Sequence, residues 1–175
     1  MRLHPRCVVV LMLLLVPATA QAHRHVWDVA FGPAAATSNS WLVGGRFSIG
    51  LTNKVPDNEK LSWLIDVTNL KEVENDEHTT LLSYLGGPRW ALVGDDHHIF
   101  MVHSLIGLTQ KLQGATVKTD YPVTVGAAYE WAWGEYKAGQ DGWAARVQAE
   151  HSFFPWSDSL KRYTQISASL VRRFE

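Results

Sequence analysis

Residues 121–133, YPVTVGAAYEWAW, carry the clearest structural signal in the chain. Every second side chain from Tyr121 onward is apolar, and most of these side chains are large. The side chains in between are mostly small or charged, as at Gly126, Ala128 and Glu130. A period of two residues is typical of a β-strand with two unlike faces. The segment therefore predicts a strand that separates a large apolar environment from a narrow, more polar one.

Seven further segments repeat this alternation. They lie at residues 27–32, 43–51, 61–68, 82–92, 100–108, 143–153 and 165–174. Strands of about ten residues separated by turn-forming residues are the pattern of a small barrel. The predicted fold class is therefore all-β, an eight-stranded antiparallel up-and-down transmembrane β-barrel.

The unlike faces indicate which side of each strand meets lipid. An eight-stranded barrel has an interior just wide enough for side chains to fill it. Small and charged residues fit that interior, whereas the tryptophan-rich face fits lipid outside. The alternative is a soluble, lipocalin-like ligand-binding barrel, which would need the aromatic face as its core.

The first 22 residues are interpreted as a secretory signal peptide, cleaved near Ala22. Their apolar run, 7–16, is shorter than the roughly 20 residues of a membrane-spanning helix. The barrel domain is then 23–175, and it cannot form a disulfide because Cys7 is the only cysteine in the chain. The net charge of −1 lacks the basic excess of a nucleic-acid-binding protein. We predict a bacterial-type outer membrane as the destination.

Charged side chains and one histidine fall at inward positions of the predicted strands. These residues are Asp28, Arg46, Asp66, Arg89, His103, Glu130, Arg146 and Glu150. Isolated buried charges are costly and paired ones are tolerated, so we predict a network that fills the lumen. Strand order predicts that Arg89 and Arg146 pair with Asp66 and with Glu130 or Glu150. A narrow ion path through the network is the functional alternative.

Aromatic side chains fall near the ends of the predicted strands. The expected membrane-interface residues are Trp27, Trp41, Trp63, Trp131, Trp133, Trp143 and Phe174. Amphipathic rings favour the two bilayer interfaces, so two belts are expected. The outer belt is expected to contain Trp41, Tyr121, Phe153 and Tyr163. Residues 110–120 are expected to form an external loop.

No catalytic, cofactor or metal site is predicted. His103 and Ser104, like His151 and Ser152, are chain neighbours on a strand, so they point to opposite faces and cannot form a dyad. Residues 95–98, DDHH, have no defined ligand spacing and are interpreted as a solvated turn. The remaining enzymatic alternative is a barrel-type outer-membrane hydrolase that modifies lipids.

Several segments together resemble a known family. They are 85–90, LGGPRW; 100–107 around His103; and 143–153 followed by 166–174. The chain is similar to small outer-membrane β-barrel proteins related to the transmembrane domain of outer-membrane protein A. The resemblance implies an eight-stranded up-and-down barrel and carries over no enzyme activity; a monomer is expected. It also implies two kinds of partner, outer-membrane lipid and the barrel-assembly machinery, which would recognise the last strand.

The end of the chain departs from the family pattern. Such barrels usually end on an aromatic residue, but Phe174 is followed by Glu175. Arg172 also occupies an outward position where an apolar residue is usual. Near the rim an arginine can extend to the headgroups, so a modest cost is expected.

Overall fold

The computed structural model describes residues 25–37, 40–53, 61–72, 79–94, 97–133, 142–155 and 162–174. Within them lie nine strand segments: β1 (His25–Thr37), β2 (Trp41–Asn53), β3 (Leu61–Glu72), β4 (Thr79–Gly94), β5 (His98–Gln113), β6 (Thr116–Asp120), β7 (Val123–Trp133), β8 (Gly142–Phe153) and β9 (Arg162–Phe174). No helix long and apolar enough to cross a membrane occurs in these segments.

The strands close into a barrel. Neighbouring strands pair antiparallel around the barrel, with β7 beside β5, and β1 also pairs antiparallel with β9. Both β6 and β7 pair with β5, so they form one barrel strand that is interrupted at Tyr121 and Pro122. Proline has no backbone N–H to donate to a neighbouring strand, which explains the interruption. The predicted eight-stranded antiparallel barrel is confirmed.

The expectation that residues 110–120 form a loop is wrong. Instead β5 and β6 form a paired hairpin whose turn contains Gly114 with a φ of 56°. Glycine adopts this left-handed conformation without a steric penalty. Polar residues occupy both faces of the hairpin, and none of its side chains beyond Thr109 is buried, although residues 110–113 of β5 still pair with residues 79–82 of β4. The sequence pattern of a strand with two unlike faces is therefore lost there.

The two ends of the barrel differ. The terminal rim is the end at which β1 begins and β9 ends, near Trp27 and Phe174, which are register partners. The hairpin rim is the opposite end, from which the hairpin of β5 and β6 extends. An apolar cluster fills the interior close to the hairpin rim; it contains Ala34, Ala36, Leu42, Leu70, Leu81, Phe154 and Tyr163. Charged side chains occupy the interior between this cluster and the terminal rim.

Candidate functional site

Glu150 is the centre of one buried group of ion pairs, the Glu150 cluster, formed with Arg46, Asp66 and His103. The Arg46 guanidinium donates to both carboxylate oxygens of Glu150, at 2.6 Å and 2.9 Å. Arg46 Nε donates to Asp66 Oδ2 at 2.6 Å, and His103 Nε2 lies 2.7 Å from Glu150 Oε1. The side-chain amide of Gln148 also donates to Glu150, at 2.7 Å. Glu150 therefore joins β2, β5 and β8 across the lumen.

A second group of ion pairs, the Asp28 cluster, lies nearer the terminal rim and contains Asp28, Arg89, Glu130, Arg146 and Arg173. Arg146 donates to Asp28 Oδ1 at 2.8 Å and to Glu130 Oε2 at 2.9 Å. Arg89 donates to both oxygens of Asp28, and Arg173 donates to Glu130 Oε1 at 2.6 Å. Charge-assisted and forked contacts of this kind are stronger than hydrogen bonds between neutral groups.

Two glycines provide the space that these contacts need. Gly126 is the register partner of both His103 and Glu150, and a Cβ atom there would overlap His103 Nε2 and Glu150 Cγ. Gly50 is opposite Asp28, and a Cβ atom there would overlap the carboxylate of Asp28 and the guanidinium of Arg89. The charged side chains therefore meet above strand positions that carry no side chain.

All eight inward residues named from the sequence are buried in the interior. The expected pairing of Arg89 with Asp66 is wrong, because Arg89 binds Asp28 instead. Asp66 lies opposite Leu85 rather than Arg89, and that offset of four residues along β4 separates the two groups. Arg146 binds Glu130 as expected, whereas Glu150, the other expected partner, binds Arg46.

Arg173 completes the charge balance and was missed by the sequence analysis. The arginines of the two clusters are Arg46, Arg89, Arg146 and Arg173, and the carboxylates are Asp28, Asp66, Glu130 and Glu150. The two sets are equal in number, so their formal charges cancel. Two signals in the sequence could have revealed Arg173: the alternation of β9, and the acid excess that remains without it.

The seven expected interface aromatics lie on the outside of the barrel, each with between 40% and 52% of its surface exposed. Trp27 lies opposite Phe174, and Trp133 lies opposite Trp143, so these four form neighbouring pairs at the terminal rim. The expectation that Tyr163 belongs to the outer belt is wrong. Tyr163 is buried inside, where its ring packs against Phe154 at 5.7 Å between centroids.

The histidine–serine neighbours lie on opposite sides of the barrel wall. Ser152 is buried and contacts Thr124 at 2.8 Å, whereas His151 contacts Thr164 on the other face of β8. No group of three potential metal ligands occurs in the part of the chain that the structure describes. Of the turn at 95–98, the first two residues lie outside that part.

Comparison with known proteins identifies the architecture. No protein-family model matches the sequence, and no curated protein matches it. Solved structures do match. Neisserial surface protein A is 12% identical with a TM-score of 0.62, and the match covers 87% of this chain and 98% of that one. The attachment invasion locus protein Ail of Yersinia pestis, in complex with the heparin analogue sucrose octasulfate, is 9% identical with a TM-score of 0.56, covering 86% and 99%.

A third structure agrees with these two. The N-terminal β-barrel domain of OprF from Pseudomonas aeruginosa is 12% identical with a TM-score of 0.55, and the match covers 88% of this chain and all of that domain. Identities this low establish the fold and leave the activity open. The chain has the fold of the small eight-stranded outer-membrane β-barrels.

Proposed function

We propose that this chain spans a bacterial-type outer membrane and acts as a structural anchor with a charge-filled lumen. The contrast in exposure between neighbouring residues of β7 supports the proposal. Glu130 has 1% of its surface exposed, whereas its neighbours Tyr129 and Trp131 have 48% and 52% exposed. In water, burial of a carboxylate and exposure of large aromatic rings are both unfavourable. In a bilayer the same arrangement is favourable, because lipid takes the place of the core.

The orientation follows from the two rims. We propose that the terminal rim faces the periplasm and that the hairpin rim faces the outside. Export by a signal peptide cleaved near Ala22 is part of this proposal; residues 1–24 lie outside the described part of the chain. The proposed partners are outer-membrane lipid along the aromatic face and the barrel-assembly machinery at the last strand. The proposed state is a monomer.

The filled lumen argues against a steady channel. The ion pairs of the Glu150 and Asp28 clusters cross the interior, and the apolar cluster occupies it near the hairpin rim. An eight-stranded barrel has no further room for an open aqueous path. A minor pore would require these pairs to break and exchange, so its openings would be rare.

Attachment to an external anionic ligand is the second candidate, favoured by the hairpin of β5 and β6. Lys111 lies opposite Lys118 in this hairpin, so two cations on neighbouring strands are placed where one multiply charged anion could contact both. Ail was solved with a sulfated heparin analogue. Replacing both lysines by glutamine should lower the affinity of the detergent-extracted barrel for sucrose octasulfate, measured by calorimetry. Equal affinities would reject this role.

The membrane proposal is tested by folding into lipid. The protein, refolded into phosphatidylcholine vesicles, should migrate faster on a gel before boiling than after boiling, because the closed barrel resists the detergent. A protein that folds fully in buffer without detergent or lipid would contradict the proposal.

Two valines with similar exposure provide a matched pair for the same test. Val147, in the middle of β8, is 60% exposed, and Val117, in the hairpin, is 57% exposed. Arginine near the middle of the bilayer costs about 2–4 kcal/mol in a barrel. Val147→Arg should therefore reduce the stability in vesicles, and Val117→Arg should leave it nearly unchanged. A soluble barrel would tolerate both substitutions equally.

A further inference from the structure

Arg172 lies on the outer surface of β9 at the terminal rim. Its register partners are Val29 on β1 and Trp143 on β8. The next residue, Arg173, is directed inward and paired with Glu130. The two adjacent arginines therefore have different surroundings: Arg173 belongs to the balanced interior network, and Arg172 lies on the face that meets lipid.

Two aromatic rings hold the guanidinium of Arg172 in place. Its Cζ atom lies 5.1 Å from the centroid of the Trp143 ring and 5.6 Å from the centroid of the Phe174 ring. Both distances are within the range of cation–π attraction. An arginine that only extended toward water would not need to lie over these rings. The rings restrict the side chain, so less conformational entropy is lost when a ligand binds.

We propose that Arg172, positioned by the rings of Trp143 and Phe174, binds the phosphate of an anionic phospholipid headgroup at the terminal rim. The planar guanidinium can donate two parallel hydrogen bonds to phosphate oxygens. The indole N–H of Trp143 is a further donor, and its ring can contact the lipid below the headgroup. A zwitterionic choline headgroup fits less well, because its own cation would lie near Arg172. The inference relies on the proposed membrane location for the position of this rim.

The experiment measures headgroup preference in the folded full-length protein. The protein is refolded into phosphatidylcholine vesicles, and electron spin resonance compares the association of spin-labelled phosphatidylglycerol with that of spin-labelled phosphatidylcholine. We expect the wild type to prefer phosphatidylglycerol by about fivefold, as one cation near an anionic headgroup would give. Arg172→Gln should abolish the preference, and Arg172→Lys should retain part of it.

Two further variants separate a built site from general electrostatic attraction. Trp143→Leu keeps the charge and removes the larger ring, so it should lower the preference. Lys71→Gln removes a charge from an exposed position of β3 near the other rim, so it should leave the preference unchanged. Equal losses in Arg172→Gln and Lys71→Gln, or no loss in Trp143→Leu, would overturn the proposed site.

The same vesicles also test whether free phosphate occupies the site and whether the protein inserts into the membrane. Excess inorganic phosphate, at constant ionic strength, should not displace the lipid; displacement would assign the site to free phosphate and overturn the lipid proposal. If the wild type inserts into vesicles but shows no headgroup preference, only this inference fails. If the wild type does not insert, the proposed membrane function fails as well.

Discussion

Gly126 shows how a strand position without a side chain permits a buried ion pair. The contact between His103 and Glu150 lies directly above Gly126, where a Cβ atom would overlap both side chains. Gly126→Ala should therefore lower the free energy of unfolding by about 1–3 kcal/mol, the usual cost of overpacking. The measurement is a urea titration of the barrel in lipid vesicles.

Gly45 is the matched control for this substitution. It also lies inside a strand, but a Cβ atom there would have only one neighbour, the carbonyl oxygen of Gly32 at 3.9 Å. Gly45→Ala should leave the unfolding midpoint nearly unchanged. Equal effects of the two substitutions would show that glycine is needed for backbone reasons and not for the ion pair.

Substitution of Arg146 tests which ion pairs form within the Asp28 cluster. Removing one partner of a buried ion pair typically costs about 3–5 kcal/mol, and water in the lumen would reduce that cost. Arg146→Ala should therefore destabilise the barrel. Glu130→Ala should cost less in the Arg146→Ala background than in the wild type, because Glu130 has then already lost one of its two arginine partners, whereas Glu150→Ala should cost the same in both backgrounds. A lower cost of Glu150→Ala in the Arg146→Ala background, in the same urea titration, would contradict the observed pairing.

The sequence predicts the side of the barrel wall on which a side chain lies better than it predicts contacts between strands. Alternation along each strand assigns a face, and it correctly places Glu130 inside and Trp131 outside. Applied to β9 without exception, alternation would also have placed Tyr163 and Arg173 inside. The partner of Arg89 could not be predicted, because it depends on the offsets between strands around the barrel, which alternation within a strand does not reveal.

At the scale of one element, β9 closes the barrel against β1 and contains the proposed assembly signal. Deleting Phe174 and Glu175 together should lower the yield in the outer membrane of cells, because the terminal aromatic residue is lost. Deleting Glu175 alone should not lower the yield. Both variants should fold into lipid vesicles, where no assembly machinery is present. If the double deletion fails equally in vesicles, Phe174 acts through stability and not through recognition.

The strand β5 is longer than the sequence pattern predicts. Residues 100–108 alternate clearly because one face meets the interior and the other is exposed. Beyond Thr109 the strand continues to Gln113 and pairs with both β4 and β6, but none of these side chains is buried. The hydrophobic pattern therefore marks only the part of a strand whose inward side chains are buried, and backbone pairing continues past it.

The interior of the barrel determines whether ions can cross the membrane through it. The proposed filling of the lumen by balanced ion pairs and the apolar cluster predicts that planar-bilayer recordings of the wild type show no conductance or only rare small events. A recording with detergent alone is the control for membrane leaks. Large, steady conductance from a monomer would contradict the filled lumen and require a wider barrel.

The ion pairs that cross the lumen also have a consequence for how long the folded protein persists. Arg89 and Asp28 connect β4 with β1, and Arg46 and Glu150 connect β2 with β8. Arg46 and Glu150 lie on opposite sides of the seam between β1 and β9, so they meet only after these strands have joined, and an unclosed sheet would carry their charges unpaired. Most of their stabilisation is then absent from the transition state for opening, which slows unfolding more than it speeds folding. The assembled barrel is therefore expected to have a long lifetime, maintained by its activation barrier as well as by its equilibrium stability.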